Sequence, residues 1–153
     1  MQLSTNLSLA EMVNSSTAKR KGISNQPTEQ HLSAMKLLAL RIFQPIREHF
    51  GVPIHISSGY RSAALNKAIG GASSSQHSKG EAIDIDMDNT DITNAEVFNF
   101  IRENLPFDQL LWEFGTAENP DWVHVSYSPT GKQRGQVLKA VKNGSKTVYQ
   151  VYA

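Results

Sequence analysis

The sequence predicts a single α+β domain, residues 1–153, in which helices pack on one side of a largely antiparallel sheet. Its length of 153 residues fits one domain with one core. The N-terminal part alternates segments of helical apolar periodicity with short segments of strand-like alternation. The C-terminal part carries only strand signals, which end in a hairpin around Asn143-Gly144. Helices followed by consecutive strands, without repeated βαβ units, are typical of the α+β class.

Helix boundaries are predicted mainly by side-chain caps. The predicted helices cover residues 8–14, 28–49, 62–69 and 93–105. Ser8 and Thr93 each precede a glutamate by three residues, which is the spacing of a capping box. The basic segment 19–22 is expected as an exposed loop. Pro45 is expected to kink the 28–49 helix or end it early, because proline removes a backbone donor.

Strands are predicted where apolar and polar residues alternate between turn signals. They cover residues 52–57, 82–87, 108–114, 122–128, 136–142 and 146–152. The glycine- and serine-rich segment 70–75 is expected as a flexible loop. In the 82–87 strand, alternation places Asp84 on one face and Ile83 and Ile85 on the other, where they fill the core. The motif-bearing core therefore spans about 52–128, followed by a hairpin at 136–152.

Composition limits the chemistry that the chain supports. The sequence has no cysteine, so disulfides and thiolate metal sites are excluded, and a transition metal must be held by histidine and carboxylate. The 15 Lys and Arg against 14 Asp and Glu give a net charge of +1, which supplies no broad field toward nucleic acid. No segment approaches the ~20 apolar residues of a membrane span, and residues 1–8 lack the features of a secretory signal. We therefore expect a soluble chain with no nucleic-acid partner and no export leader.

Three residues of the types that bind zinc stand out. His77 follows the flexible loop, Asp84 lies in the next strand, and His124 shares a strand face with Trp122 and Ser126. Taken singly, His124 also suits a hydrogen-bonded core or surface histidine, and Asp84 also suits a partly exposed carboxylate. Together, two imidazoles and one carboxylate form a site that leaves the fourth zinc position to water, which is typical of catalytic zinc. We therefore predict one zinc ion per chain and a metal-dependent hydrolase.

Three motifs between residues 57 and 127 carry a family resemblance. They are Ser58-Gly59-Tyr60-Arg61-Ser62 with Asn66, then Ser75-Gln76-His77-x-x-Gly80-x-Ala82-x-Asp84-Ile85, and finally Trp122-Val123-His124-Val125-Ser126. In this combination the chain resembles the zinc D-alanyl-D-alanine carboxypeptidase family of murein peptidases. That family includes vancomycin-resistance dipeptidases and phage endolysins, and it shares its fold with the hedgehog signalling domain. None of the motifs that carry this resemblance lies in the segments 1–27 and 135–153.

The resemblance implies roles for the residues near the metal. The implied zinc ligands are His77, Asp84 and His124. Asp121 is implied as the general base, and Arg61 as the donor that stabilises the oxyanion of the tetrahedral intermediate. Two ordinary interpretations stay open, because Asp121 also suits a turn after Pro120 and Arg61 also suits a surface salt bridge. The residues expected to contact substrate or line its pocket are Ser75, Gln76, Trp112 and Glu113.

The predicted function is zinc-dependent hydrolysis of a peptide bond in peptidoglycan stem peptides. The bond is left open between terminal D-Ala-D-Ala, as in carboxypeptidases, and internal L-Ala-D-Glu. The small size and the lack of a recognisable leader or wall-binding module favour a monomeric phage or prophage protein. Such a protein would stay in the cytoplasm until it is released or carried by a virion to the cell wall. Alternatives are a non-catalytic, zinc-stabilised binding module with the hedgehog-like fold, and a hydrolase of some other peptide.

Overall fold

Strands in two sheets organise residues 1–152, the part of the chain that the computed structural model describes. In chain order they are β1 (Gln2–Ser4), β2 (Leu7–Ser8), β3 (Ile56–Ser58), β4 (Ala82–Ile85), β5 (Gln109–Glu113), β6 (Trp122–Ser126), β7 (Gln136–Asn143) and β8 (Lys146–Val151). The first two pair as a small antiparallel sheet that was not predicted. The other six form one sheet in the order β3-β4-β6-β5-β7-β8. Only β5 and β7 pair in parallel, which confirms the α+β fold with a mostly antiparallel sheet.

The helices begin and end largely at the predicted caps. In chain order they are α1 (Leu9–Val13), α2 (Ser16–Lys21), α3 (Glu29–Leu38), α4 (Gln44–Phe50), α5 (Ala63–Ala68) and α6 (Asn94–Asn104). The capping boxes at Ser8 and Thr93 are present and begin α1 and α6. The prediction of a loop at 19–22 is wrong, because this segment forms the last turn of α2. Ser15 caps that helix at its start, and Gly22 ends it in a left-handed conformation.

The helical segment 29–50 continues through Pro45. Between α3 and α4 the chain makes a π-helical turn, Ala39–Phe43. In this turn the Gln44 amide donates to the Ala39 carbonyl, one residue further back than in an α-helix. The shifted register comes just before Pro45, which lacks a backbone donor and lies in the first turn of α4. The predicted early end at Pro45 is therefore wrong. Among residues 1–152, no helix is long and apolar enough to cross a membrane.

One face of the sheet packs against the helices, which leaves the other face to the site. The buried core residues of β4, β5 and β6 are Ile83, Ile85, Leu110, Trp112, Val123 and Val125. The helical residues in the same core cluster include Met35, Leu38, Ile42, Phe98 and Ile101. Alternation along the strands sends Asp84, His124 and Leu111 to the opposite face, which we call the site face. These three are neighbours across the sheet, because Asp84 pairs with His124 and His124 pairs with Leu111.

The predicted C-terminal hairpin is present as β7 and β8. It joins the central sheet through β5, where Glu113 is opposite Ala140. Across the hairpin, Ala140 pairs with Tyr149 and Lys142 pairs with Thr147. Because residues in register share a face of a sheet, these side chains lie on the same face as Glu113. The hairpin therefore extends the site face beyond β5.

Candidate metal centre

The three predicted metal ligands meet on the site face. One ligand atom each from His77, Asp84 and His124 lies within 4.8 Å of the others. Asp84 and His124 occupy paired positions of β4 and β6, whereas His77 comes from a short 3-10 turn, Gln76–Lys79. Both histidines are buried, and Asp84 is partly exposed. The chain therefore assembles the His-Asp-His cluster that its sequence predicts.

Hydrogen bonds determine which nitrogen of each imidazole faces Asp84. Nδ1 of His77 donates to the Gly59 carbonyl at 2.8 Å, so Nε2 has the lone pair, 3.2 Å from Asp84 Oδ1. Nε2 of His124 lies 3.0 Å from the acceptor Gln76 Oε1, so Nδ1 has the lone pair, 3.0 Å from the same Asp84 oxygen. Between neutral imidazoles and a carboxylate these contacts join two acceptors, which requires a proton or a cation between them. The donor set therefore fits a divalent ion bound by two nitrogens and one oxygen.

A chain of polar contacts supports His124 from the side away from Asp84. The Gln76 amide accepts from His124 and donates to Asp108 Oδ2 at 3.3 Å. Asp108 accepts from the Arg134 guanidinium, with Nη2 to Oδ2 at 2.8 Å and Nε to Oδ1 at 3.2 Å. The hydrogen bond from Arg134 lowers the pKa of Asp108 and keeps it a charged acceptor. Outer contacts of this kind fix the tautomer and the orientation of a metal-binding histidine.

Two glycines make room for the backbone that presents His77. At Gly59, whose carbonyl accepts from His77, a Cβ would collide with the carbonyl oxygen of Met12. Gly80 ends the 3-10 turn at φ 75°, and a Cβ there would lie 2.5 Å from the His31 carbonyl oxygen. Both obstacles are backbone atoms, which cannot rotate away as a side chain does. Glycine at these two positions therefore allows the close approach that sets the position of His77.

Asp84 is held as a carboxylate even without a metal. Burial on its own raises the pKa of its carboxyl group, whereas protonated His77 and His124 lower it by their charge and their hydrogen bonds. The lowering prevails, and the pKa of Asp84 lies well below its usual range. The anionic form is the one that binds a divalent cation. Metal binding near neutral pH therefore requires no proton to leave Asp84.

The metal ligands open onto a cleft of about 930 Å³ on the site face. Its walls come from the 70–75 loop, the 3-10 turn, strands β5 and β6, and the β7–β8 hairpin. The charged residues that line it are Arg61, Lys79, Glu81, Asp84, Asp108, Glu113, Arg134 and Lys142. A three-ligand metal site beside an open cleft suits catalysis, whereas structural zinc sites are closed by four protein ligands.

The family model for peptidase M15 matches residues 5–126, which include all three metal ligands. The chain belongs to the peptidase M15 family. It is therefore a metallopeptidase, and His77, Asp84 and His124 form its candidate zinc site. No curated protein matches the sequence of this M15 peptidase. The β7–β8 hairpin lies beyond the matched residues.

Arg61 of this M15 peptidase lies in the cleft beside the metal ligands. Its backbone amide donates to the His77 carbonyl at 3.2 Å, and its Nη2 lies 3.5 Å from Ser75 Oγ. Its Nε is buried and has no hydrogen-bond partner among residues 1–152. Burial lowers the pKa of the guanidinium, while the charge of Asp84 raises it. None of the ion pairs in the described part of the chain includes Arg61, so the surface salt bridge considered above is absent there.

Glu113 is the carboxylate that β5 brings into the cleft beside the metal ligands. It shares the site face with Leu111, the neighbour of His124, and it pairs with Trp122 of β6. Glu113 is only 7% exposed, and burial raises its pKa to about 7. His124 opposes this rise in pKa, and Asp84 adds to it. The structure therefore places Glu113 at the pocket, as predicted from the sequence, with a perturbed carboxyl group.

Trp112 lies away from the cleft, in the core. It is 3% exposed, and its ring packs on the rings of Phe98 and Tyr152. Because neighbouring residues of a strand point to opposite faces, Trp112 and Glu113 do not both reach the site face. The predicted place of Trp112 in the substrate pocket is therefore wrong.

Asp121 is not among the residues that line the cleft. It is exposed in the bend before β6, where its amide donates to the Glu113 carbonyl and its carbonyl accepts from Asn94. Its carboxylate adds to the effect of Asp86 in raising the pKa of Asp88, so these carboxylates are near one another. This placement matches the alternative of a turn residue, and the role of Asp121 as general base stays a prediction.

Several residues of the cleft were not predicted from the sequence. Asp108 and Arg134 support the metal centre through Gln76, and Lys142 and Tyr149 line the cleft from the hairpin. Alternation along the predicted hairpin indicates that Lys142 and Tyr149 share a face. It does not indicate which strand the hairpin pairs with, so only the structure shows that these residues lie near the metal site.

Proposed function

We propose that this M15 peptidase hydrolyses a peptide bond of peptidoglycan stem peptides with one zinc ion held by His77, Asp84 and His124. The observation that carries the proposal is the convergence of these ligands, with the free lone pairs of both imidazoles toward the same Asp84 oxygen, beside an open cleft. Membership of the M15 family supports peptides as the substrate class. The motifs in residues 57–127 support the narrower choice of stem peptides.

Zinc suits a donor set of two imidazole nitrogens and one carboxylate oxygen. A bound zinc ion supplies a Lewis acid for the scissile carbonyl and acidifies a water molecule. The protein's own contribution is to hold the two histidine ligands in a fixed orientation. The Gly59 carbonyl orients His77, and the Gln76 amide orients His124. We therefore assign Gln76, first expected at the substrate, an orienting role, since both polar atoms of its side chain are engaged.

We assign the proton transfers to Glu113 rather than to Asp121. Glu113 is buried in the cleft on the same face as the ligands, and Asp121 is not a lining residue. The carboxylate of Glu113 accepts a proton from the attacking water, and the resulting acid donates it to the departing amine nitrogen. Without a metal, burial raises the pKa of Glu113 to about 7. A divalent cation nearby lowers this pKa and favours the carboxylate that accepts the first proton.

Arg61 is assigned to the negative charge that develops on the carbonyl oxygen. A guanidinium stays charged and offers forked donors, and the Nε of Arg61 is buried without a partner. Ser75 contacts both sides of this arrangement, because its Oγ lies 3.5 Å from Arg61 Nη2 and accepts from the His77 amide at 3.2 Å. We therefore assign Ser75 the role of orienting Arg61, in place of a direct contact with substrate.

Digestion of purified peptidoglycan, with mass spectrometry of the fragments, tests the proposed function. Zinc-loaded protein is expected to cut stem peptides, and chelator-treated protein is expected to cut none. Free D-alanine among the products identifies a carboxypeptidase, and cut stems with new internal ends identify an endopeptidase. Binding of zinc and stem peptide without any cleavage would support the alternative of a hedgehog-like binding module. Cleavage of other peptides alone would place the substrate outside peptidoglycan.

A further inference from the structure

The β7–β8 hairpin forms one wall of the cleft, although it lies beyond the residues that the family model matches. Parallel pairing places Ala140 beside Glu113, and Tyr149 of β8 lies beside Ala140. The hairpin residues that line the cleft are Leu138, Lys142, Thr147 and Tyr149. Because alternate residues of a strand share a face, these side chains continue the surface that carries His124. The hairpin is thus a continuous part of the site face.

Lys142 and Tyr149 carry the polar groups that this wall offers to a ligand. Nζ of Lys142 lies 3.3 Å from Thr147 Oγ1 and 4.9 Å from the centre of the Phe114 ring. Within residues 1–152, no carboxylate forms an ion pair with Lys142. Tyr149 is 56% exposed and lines the same cleft. A cation without a carboxylate partner, in the same wall as the exposed Tyr149, is suited to an acidic group on a bound peptide.

The hairpin wall stands several residues of peptide away from the metal ligands. One strand, β5, separates the His124 strand from β7, and two strands separate it from β8. Neighbouring strands are about 4.8 Å apart, so β7 and β8 lie roughly 10–14 Å from the His124 strand. An extended peptide advances about 3.3 Å per residue, so the wall is about three or four residues from the bond at the metal. A terminal carboxylate directly beside the cleaved bond does not reach that far.

The cleft also continues past the metal ligands in both directions along the strands. Leu111 is level with His124, and it lines the cleft together with residues on either side of it in β5. Gln109 extends the lining in one direction, and Glu113 and Phe114 extend it in the other. The cleft therefore has room for peptide on both sides of the bond that meets the metal.

We propose that the β7–β8 hairpin is a substrate-binding wall, in which Lys142 and Tyr149 hold an acidic group of the peptide about three or four residues from the cleaved bond. The enzyme then cuts an internal bond, because the peptide must extend from the metal to the hairpin. This inference rests on the proposed function, since it takes the substrate to be a stem peptide. It adds to that function a location for the longer part of the peptide, which lies on the hairpin side of the cleft.

The test compares Lys142→Gln with Lys146→Gln. Both variants remove one positive charge from the hairpin, but Lys146 does not line the cleft. The probes are the acetylated stem tetrapeptide L-Ala-D-Glu-L-Lys-D-Ala and the same peptide with its carboxyl groups amidated. The measurements are kcat and KM with zinc, and Kd by calorimetry with zinc-free protein. We expect Lys142→Gln to raise KM and Kd about tenfold for the acidic peptide, with kcat within about twofold, because one charge-assisted hydrogen bond is lost.

The amidated peptide and the control variant separate the outcomes. With the amidated peptide, Lys142→Gln is expected to have little effect, and Tyr149→Phe is expected to weaken binding of the acidic peptide alone. The hairpin proposal would be overturned if Lys142→Gln and Lys146→Gln changed KM and Kd equally, or if Lys142→Gln weakened binding of both peptides equally. The proposed function would still stand in either case, provided that the wild type cleaves the peptide. Release of D-alanine alone would overturn internal cleavage. If the wild type neither binds nor cuts either peptide, the proposed function fails and the hairpin proposal fails with it.

Discussion

At the scale of single residues, each imidazole of the metal centre has one nitrogen held by a fixed partner and the other directed at Asp84. The Gly59 carbonyl holds His77, and the Gln76 amide holds His124. The chain thus sets both tautomers through groups that do not themselves bind the metal. This separation of roles lets substitutions distinguish residues that bind zinc, residues that orient its ligands and residues that move protons.

Glu113→Gln tests the assignment of the base. The substitution preserves the shape of the side chain but removes its ability to accept a proton. We expect kcat/KM for stem-peptide cleavage to fall by about 10²- to 10⁴-fold while the zinc content stays unchanged. Asp121→Asn serves as the control, and we expect it to keep cleavage within about threefold of the wild type, as for an exposed residue outside the cleft. A large loss of kcat/KM in Asp121→Asn, with a small loss in Glu113→Gln, would show that Asp121 is the base.

Gln76→Leu tests the orienting role of the Gln76 amide. The variant leaves Nε2 of His124 without its acceptor, so the tautomer and the ring orientation are less well fixed. We expect zinc affinity, measured by competition with a chelator, to fall by about 10- to 100-fold. Gln109→Leu is the matched control, because Gln109 lines the same cleft but its amide donates to Gln136. Equal zinc affinities in the two variants would remove Gln76 from this role.

At the scale of elements, the 3-10 turn that carries His77 depends on Gly80. Gly80→Ala introduces a Cβ that meets the His31 carbonyl, in addition to the strain of a left-handed alanine. Gly22→Ala introduces the same kind of strain at φ 64° with nothing within 4 Å. We expect Gly22→Ala to cost about 1 kcal/mol of unfolding free energy, and Gly80→Ala to cost about 2–4 kcal/mol. Chemical denaturation measures both costs, and a weaker affinity for zinc in Gly80→Ala alone would show that the clash displaces His77.

The elements that could be predicted from the sequence depend on residues close together in the chain. One example is the pair of capping boxes at Ser8 and Thr93. Another is the alternation that places Asp84 and His124 on one face of the sheet. The π-helical turn before Pro45 escaped prediction, because a shifted hydrogen-bond register has no distinct sequence signal. Local periodicity likewise gave no sign of α2, which is defined by its caps.

The metal ligands of the candidate site were predictable from the sequence, as was the presence of Arg61 and Glu113 in the cleft, but the other supporting contacts were not. The spacing and types of His77, Asp84 and His124 identify a metal cluster. The choice between Glu113 and Asp121 depends on strand pairing and on a bend, neither of which the sequence specifies. The parallel pairing of β7 with β5, which brings the hairpin into the cleft, likewise joins segments that are distant in the chain.

At the scale of the whole molecule, stability and metal binding are linked through the buried carboxyl of Glu113. Its pKa is about 7 in the folded, metal-free protein and 4.5 in its ordinary state. The folded state therefore binds this proton more tightly than the unfolded chain does, so Glu113 reduces the free energy of unfolding as pH rises from about 4.5 to 7. The loss reaches at most about 3 kcal/mol, at 1.36 kcal/mol for each pKa unit. Asp84 has the opposite dependence, and its contribution is lost only as pH falls below its ordinary pKa of 3.8.

Denaturant titrations of the metal-free protein at several pH values measure this effect. The wild type is expected to lose more stability between pH 4.5 and 7 than Glu113→Gln, which lacks the titrating group. Comparison with the variant cancels the contributions of all other titrating groups. Zinc is expected to reduce the difference, since a nearby cation lowers the pKa of Glu113. Parallel stability curves for wild type and variant would contradict the assignment of a protonated, buried Glu113.

The most direct test of the account is X-ray diffraction at the zinc absorption edge, from crystals of the zinc-loaded protein. We predict one strong anomalous peak per chain, bonded to Nε2 of His77, a carboxylate oxygen of Asp84 and Nδ1 of His124, with Glu113 and Arg61 facing the remaining coordination position. A peak at any other group of residues would contradict the account, as would zinc bound through the opposite nitrogens of the two imidazoles.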